Sequence, residues 1–78
     1  MDKLKNLEEL HLDGNDITEV KGLENLESLT HLLITENKIS EIKDYTVFPS
    51  KLEYIEIDRN PLLDIIIGEL HEKYNGVF

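Results

Sequence analysis

Apolar residues recur along this chain in one spaced pattern, stated three times. Leu7, Leu10 and Leu12 precede Asn15, and Ile17 and Val20 follow it. Leu29, Leu32 and Ile34 precede Asn37, with Ile39 and Ile42 after it. Leu52, Ile55 and Ile57 then precede Asn60, with Leu62 and Ile65 after it. Met1 and Leu4 lead into Leu7 as Leu23 and Leu26 lead into Leu29; Tyr45 and Phe48 take those places before Leu52, with one residue inserted. The asparagines are 22 and then 23 residues apart. Self-similarity at such a period marks a solenoid. One unit cannot bury its apolar side alone, and stacked units share a thin continuous core.

Each unit carries its own structural instructions. Leu10 and Leu12 alternate with Glu9, His11 and Asp13, which predicts a short strand with the leucines inward. Gly14-Asn15 then turns the chain. An asparagine there can satisfy backbone groups opened by the turn, because its amide both donates and accepts. Stacking would align Asn15, Asn37 and Asn60 as a structural ladder. The return segment Thr18 to Leu23 is too short for a long helix and should be extended or a single 3₁₀ turn.

The two ends depart from the pattern in opposite ways. Asn60 and Pro61 suit a helix cap and first helical position, and Asn75-Gly76 suits a helix stop. Leu62, Ile66, Leu70 and Tyr74 fall on one stripe between them, with Asp64, Glu69, Glu72 and Lys73 towards water. This predicts a capping helix over about residues 62–74. No comparable cap is expected at the N-terminus, where the chain starts half-way through a repeat. Leu4, Leu7, Leu10, Leu12 and Ile17 would then lack a covering layer.

The template L-x-x-L-x-L-x-x-N, read from Leu7 to Asn15 and twice more, resembles the leucine-rich repeat family. The spacing is closest to its short 22-residue intracellular class, typified by protein phosphatase 1 regulators, and the resemblance covers residues 1 to about 65. It implies an α/β leucine-rich repeat solenoid filling one domain, residues 1–78. About three repeats are expected, approximately 1–22, 23–44 and 45–65, with a parallel inner sheet and a C-terminal capping helix. It also implies recognition of a protein partner on the concave face.

Composition narrows the partner. Seventeen acidic residues against eight basic ones give a net charge of −9, which repels nucleic acid and anionic membrane. No apolar run approaches the roughly 18 residues of a membrane-spanning helix. The absence of cysteine removes disulfides, thiolate metal sites and a cysteine nucleophile. Charges at Asp2, Lys3 and Lys5 stand where a signal peptide needs apolar residues, so a cytoplasmic protein is expected.

Projecting the strands places twelve residues on one concave face, in columns. These are Glu9, His31 and Tyr54; His11, Leu33 and Glu56; Asp13, Thr35 and Asp58; and Gly14, Glu36 and Arg59. Five are acidic and one is basic, so a basic or amphipathic partner is favoured, with Tyr54 and Leu33 supplying apolar area. The plainer reading is a solvated sheet face. Glu9, His11, Asp13 and His31 could be imagined around a metal, but a flat face gives no closed shell. Ser28 or Thr35 beside a histidine lacks the cleft a nucleophilic triad requires. His71 reads as a solvated helix residue. No cofactor, metal or enzymatic activity is therefore expected. The alternative to partner binding is a self-assembling unit or a truncated fragment of a longer leucine-rich repeat protein, contacting itself, as a homodimer, through the bare N-terminal edge.

Overall fold

The computed structural model describes residues 5–78, so the predicted places of Met1 and Leu4 lie outside the described residues. The alternating segment of each repeat forms a three-residue strand: β1 (Glu9–His11), β2 (His31–Leu33) and β3 (Tyr54–Glu56). Helix α1 (Asp64–Lys73) comes next, followed by β4 (Asn75–Val77). The four strands form one parallel sheet in the order β1-β2-β3-β4. Parallel neighbours cannot be joined by a tight turn, so every connection crosses behind the sheet. Between β2 and β3 that crossing includes a 3₁₀ turn, Tyr45–Val47, capped by the Asp44 carboxylate, which accepts from the Thr46 amide. That amide and the Thr46 hydroxyl hold the Asp44 carboxyl below its ordinary range.

The core lies between the sheet and the return segments. Leu29, Leu32, Ile34 and Ile39 of the second repeat are at most 1% exposed, as are Ile55 and Ile57 of the third. The inter-repeat spacing is held by carboxamides. Asn37 Nδ2 donates to the carbonyls of Leu12, Ile34 and Thr35, each at 3.0 Å, and its Oδ1 accepts from the Ile17 amide at 3.1 Å. Asn60 repeats this, donating to Ile34, Ile57 and Asp58 and accepting from the Ile39 amide. Asn15 donates to Leu12 and Asp13 of its own repeat. The residue before each asparagine is left-handed: Gly14, Glu36 and Arg59 have φ of 70°, 54° and 58°. That conformation costs a residue with a Cβ roughly 1 kcal/mol, and glycine relieves the cost only in the first turn.

The C-terminal unit differs from the sequence expectation in three respects. The helix starts at Asp64, with Leu63 in the capping position and no side-chain cap bond. Asn60 cannot cap it because its carboxamide is already committed to the ladder. Asn75-Gly76 is not a helix stop; it is the first part of a fourth strand, and the helix ends at Tyr74 in extended backbone. Ile65, spaced from Asn60 as Ile42 is from Asn37, points outward at 70% exposure, and Ile66 takes the buried place. The helical phase set at Asp64 rotates the pattern by one residue. α1 is thus the return segment of a further turn, burying Ile66 and Leu70 against the third repeat.

Gly76 explains how β4 fits. It pairs with Ile55 at φ 152°, and a Cβ on it would lie 1.7 Å from the Ile55 carbonyl oxygen. Only glycine lets β4 approach β3 this closely.

Candidate functional site

Strand register fixes which side chains share the face of the sheet turned away from the core. Glu9 pairs with His31, His31 with Tyr54 and Tyr54 with Asn75. His11, Leu33, Glu56 and Val77 form the next row. Sequence reasoning misses Asn75 and Val77, because an Asn-Gly pair reads as an ending. The 21-residue spacings from Ile55 to Gly76 and from Ile57 to Phe78 carry the signal, but glycine hides it at the first of these positions.

Many of the polar residues on this face are engaged with each other. His11 Nε2 contacts Glu9 Oε1. The His31 ring lies 5.5 Å from that of Tyr54, centroid to centroid, and His31 Nδ1 is 2.8 Å from the Thr30 hydroxyl. The Tyr54 hydroxyl donates to Glu56 at 2.9 Å, which fixes the ring across β3. Asp13 accepts from both the amide and the hydroxyl of Thr35, at 2.7 and 2.9 Å. Arg59 donates to Glu36 at 2.9 Å, joining two of the left-handed turns. Asp58 is half-buried, and its Oδ1 is buried without a hydrogen-bond partner. Leu33 and Tyr54 are half-buried and Val77 is 45% exposed, so apolar area alternates with acidic side chains across this face, Glu56 lying between Leu33 and Val77.

The remaining candidates are not drawn together. Among the described residues, no group of three or more His, Asp or Glu is placed to hold a metal ion. Ser28 is on the loop before β2. His71, on α1, packs its ring 4.4 Å from that of Phe78. A cavity of about 280 Å³ opens between the first and second return segments, against Val20, Ile42 and Val47. None of the residues lining it is on a strand.

The tyrosines hold their protons more firmly in the folded chain. Burial pushes the Tyr45 phenol up to about 12, and its hydrogen bond to Glu69 adds to this. The bond to Glu56 raises Tyr54 first and burial second, whereas burial alone raises Tyr74. A phenol raised by folding contributes stability that is complete below its unfolded value near pH 10 and is lost as pH rises through the folded value. Stability to urea should therefore decline between about pH 10 and about 12, the folded value for Tyr45. Tyr45→Phe should shrink that decline; an equal decline in the variant would remove Tyr45 as its source.

Short parallel strands, left-handed turns and a carboxamide ladder define a small solenoid of the leucine-rich type. The family model "Leucine Rich repeats (2 copies)" matches residues 5–47, more than half of the chain, and the chain belongs to that family. Such domains generally mediate protein–protein interaction. No solved structure matches the chain. Among the described residues, no helix is long and apolar enough to cross a membrane.

Proposed function

We propose that the chain is a non-enzymatic interaction module that holds a basic or amphipathic protein partner on its concave face. The observation that carries this reading is the interleaving of Tyr54, Leu33 and Val77 with Glu9, Asp13, Glu56 and Asp58 across one face of the sheet. His11, His31, Thr35 and Arg59 complete the contact surface. Aromatic side chains held in place are favoured anchors, whereas rim charges mainly speed encounter and fix orientation. The lack of cysteine and the close repeat spacing support a cytoplasmic setting and the short intracellular subclass.

The test is a partner recovered on the immobilised chain and then measured against variants. Tyr54→Ala should weaken binding at least about tenfold, while Ile65→Ser on the outer helix should leave it unchanged. Glu56→Lys and Asp58→Lys should chiefly slow association and reduce its salt dependence. A partner whose affinity ignores Tyr54→Ala binds elsewhere, and the reading fails.

A gradient of burial favours a second reading. Leu7, Leu10, Leu12 and Ile17 remain half-buried, whereas their second-repeat counterparts Leu29, Leu32, Ile34 and Ile39 are at most 1% exposed. Among the described residues β1 is also the first strand of the sheet, and its outer edge is a template for pairing. Two copies meeting antiparallel at this edge would cover both features. Sedimentation equilibrium at micromolar concentration decides it. One 9.1 kDa species with well-protected amides in residues 9–13 would sink the dimer.

A further inference from the structure

The chain contains two side-chain carbonyl groups directly followed by glycine, Asp13-Gly14 and Asn75-Gly76. Either can in principle close a five-membered ring onto the following backbone nitrogen, because glycine offers no side chain to block the approach. The structure treats the two in opposite ways. The Gly14 amide donates to the Thr35 carbonyl at 2.9 Å, and Asp13 Oδ1 is held by the Thr35 amide and hydroxyl. Both reacting groups of the first pair are therefore occupied.

At the second pair the ladder leaves the nitrogen free. The Asn75 amide donates to the Glu53 carbonyl, and the Val77 carbonyl accepts from the Ile57 amide. Backbone groups alternate sides along a strand, so the Gly76 N–H points away from β3, along the outer edge of the sheet. Asn75 is exposed on the concave face. β4 is also a three-residue edge strand, the kind of element that opens at low free-energy cost.

We infer that Asn75-Gly76 is a site of spontaneous deamidation. The Gly76 nitrogen, on losing its proton, attacks Asn75 Cγ. The new N–Cγ bond closes a succinimide while the Cγ–Nδ2 bond breaks, and the amide nitrogen leaves as ammonia after taking up a proton. Water then opens the ring at one of its two carbonyls, giving an aspartate or an isoaspartate. The first product adds a negative charge beside Tyr54. The second inserts a methylene into the main chain of β4, which cannot then keep both the Tyr54–Asn75 and Glu56–Val77 pairings.

The experiment ages the full chain in neutral buffer at physiological temperature and maps its peptides by mass spectrometry. The free hexapeptide Lys-Tyr-Asn-Gly-Val-Phe serves as the reference for unrestrained reaction. A gain of one mass unit should appear in the peptide carrying Asn75, faster at alkaline pH and ahead of Asn6, Asn15, Asn25, Asn37 and Asn60. Asn75→Gln should abolish it. The inference is overturned if the folded chain shows no gain at Asn75 while the hexapeptide converts completely, or if another asparagine converts first.

Discussion

Deleting residues 62–78 should abolish cooperative thermal melting. The deletion removes α1 and β4 together, and with them the cover over the last repeat. Leu70 is fully buried and Ile66 is 7% exposed, both in the cluster that contains Ile55, Ile57 and Phe48. Tyr74 meets the Phe48 ring edge-on at 5.6 Å, and Phe78 packs on the same cluster. Losing several such side chains, at roughly 1.5–3 kcal/mol each, matches or exceeds the 5 kcal/mol or so expected of a domain this small. β3 would also become an open edge, inviting aggregation. Circular dichroism on heating distinguishes a broad, non-cooperative loss of signal from a sharp transition. A truncated chain that still melts sharply would show that the first three strands form a self-sufficient core.

The repeat pattern is legible in the sequence because it is set by burial. Leu32 and Ile55 must be apolar to sit between neighbours, and their spacing registers the strands whatever the loops do. The columns on the outer face of the sheet follow from that spacing, which is why Glu9, His31 and Tyr54 align on the residue pattern alone. What the pattern cannot supply is the identity of β4. Gly76 stands at the inward position that Leu10, Leu32 and Ile55 occupy, and a glycine there reads as punctuation rather than core. Its place is dictated by the approach to the Ile55 carbonyl, a constraint between segments that no local pattern expresses. Asn60 misleads for a related reason. The residue suits both a helix cap and a ladder position, and the tertiary bonds to Ile34 and Ile39 decide the matter. The charge of the face is plain in the sequence. The contacts that hold it, such as Tyr54 to Glu56 and Asp13 to Thr35, require the fold.

Asn37→Ala should cost far more stability than the same change at Asn15, although the two occupy equivalent places in the repeat. Asn37 is 6% exposed, and its carboxamide serves four backbone groups from two repeats: the carbonyls of Leu12, Ile34 and Thr35 and the amide of Ile17. Alanine can replace none of these bonds. A buried donor or acceptor left without a partner costs about 1–3 kcal/mol, so losing even two of the four implies roughly 3 kcal/mol or more. That is half or more of what a small domain has in reserve. Asn15 is exposed, and the carbonyls it reaches, at 2.8 and 3.4 Å, belong to its own repeat. Water can stand in for it there, so Asn15→Ala should cost less than about 1 kcal/mol. Asn37→Asp sharpens the comparison. It keeps an acceptor for the Ile17 amide but turns a carboxylate towards three carbonyl oxygens, and should destabilise at least as much as alanine. Urea denaturation of the three variants gives the ordering directly. Equal midpoints for Asn37→Ala and Asn15→Ala would mean that the inter-repeat bonds add nothing, leaving the solenoid held by its apolar core alone.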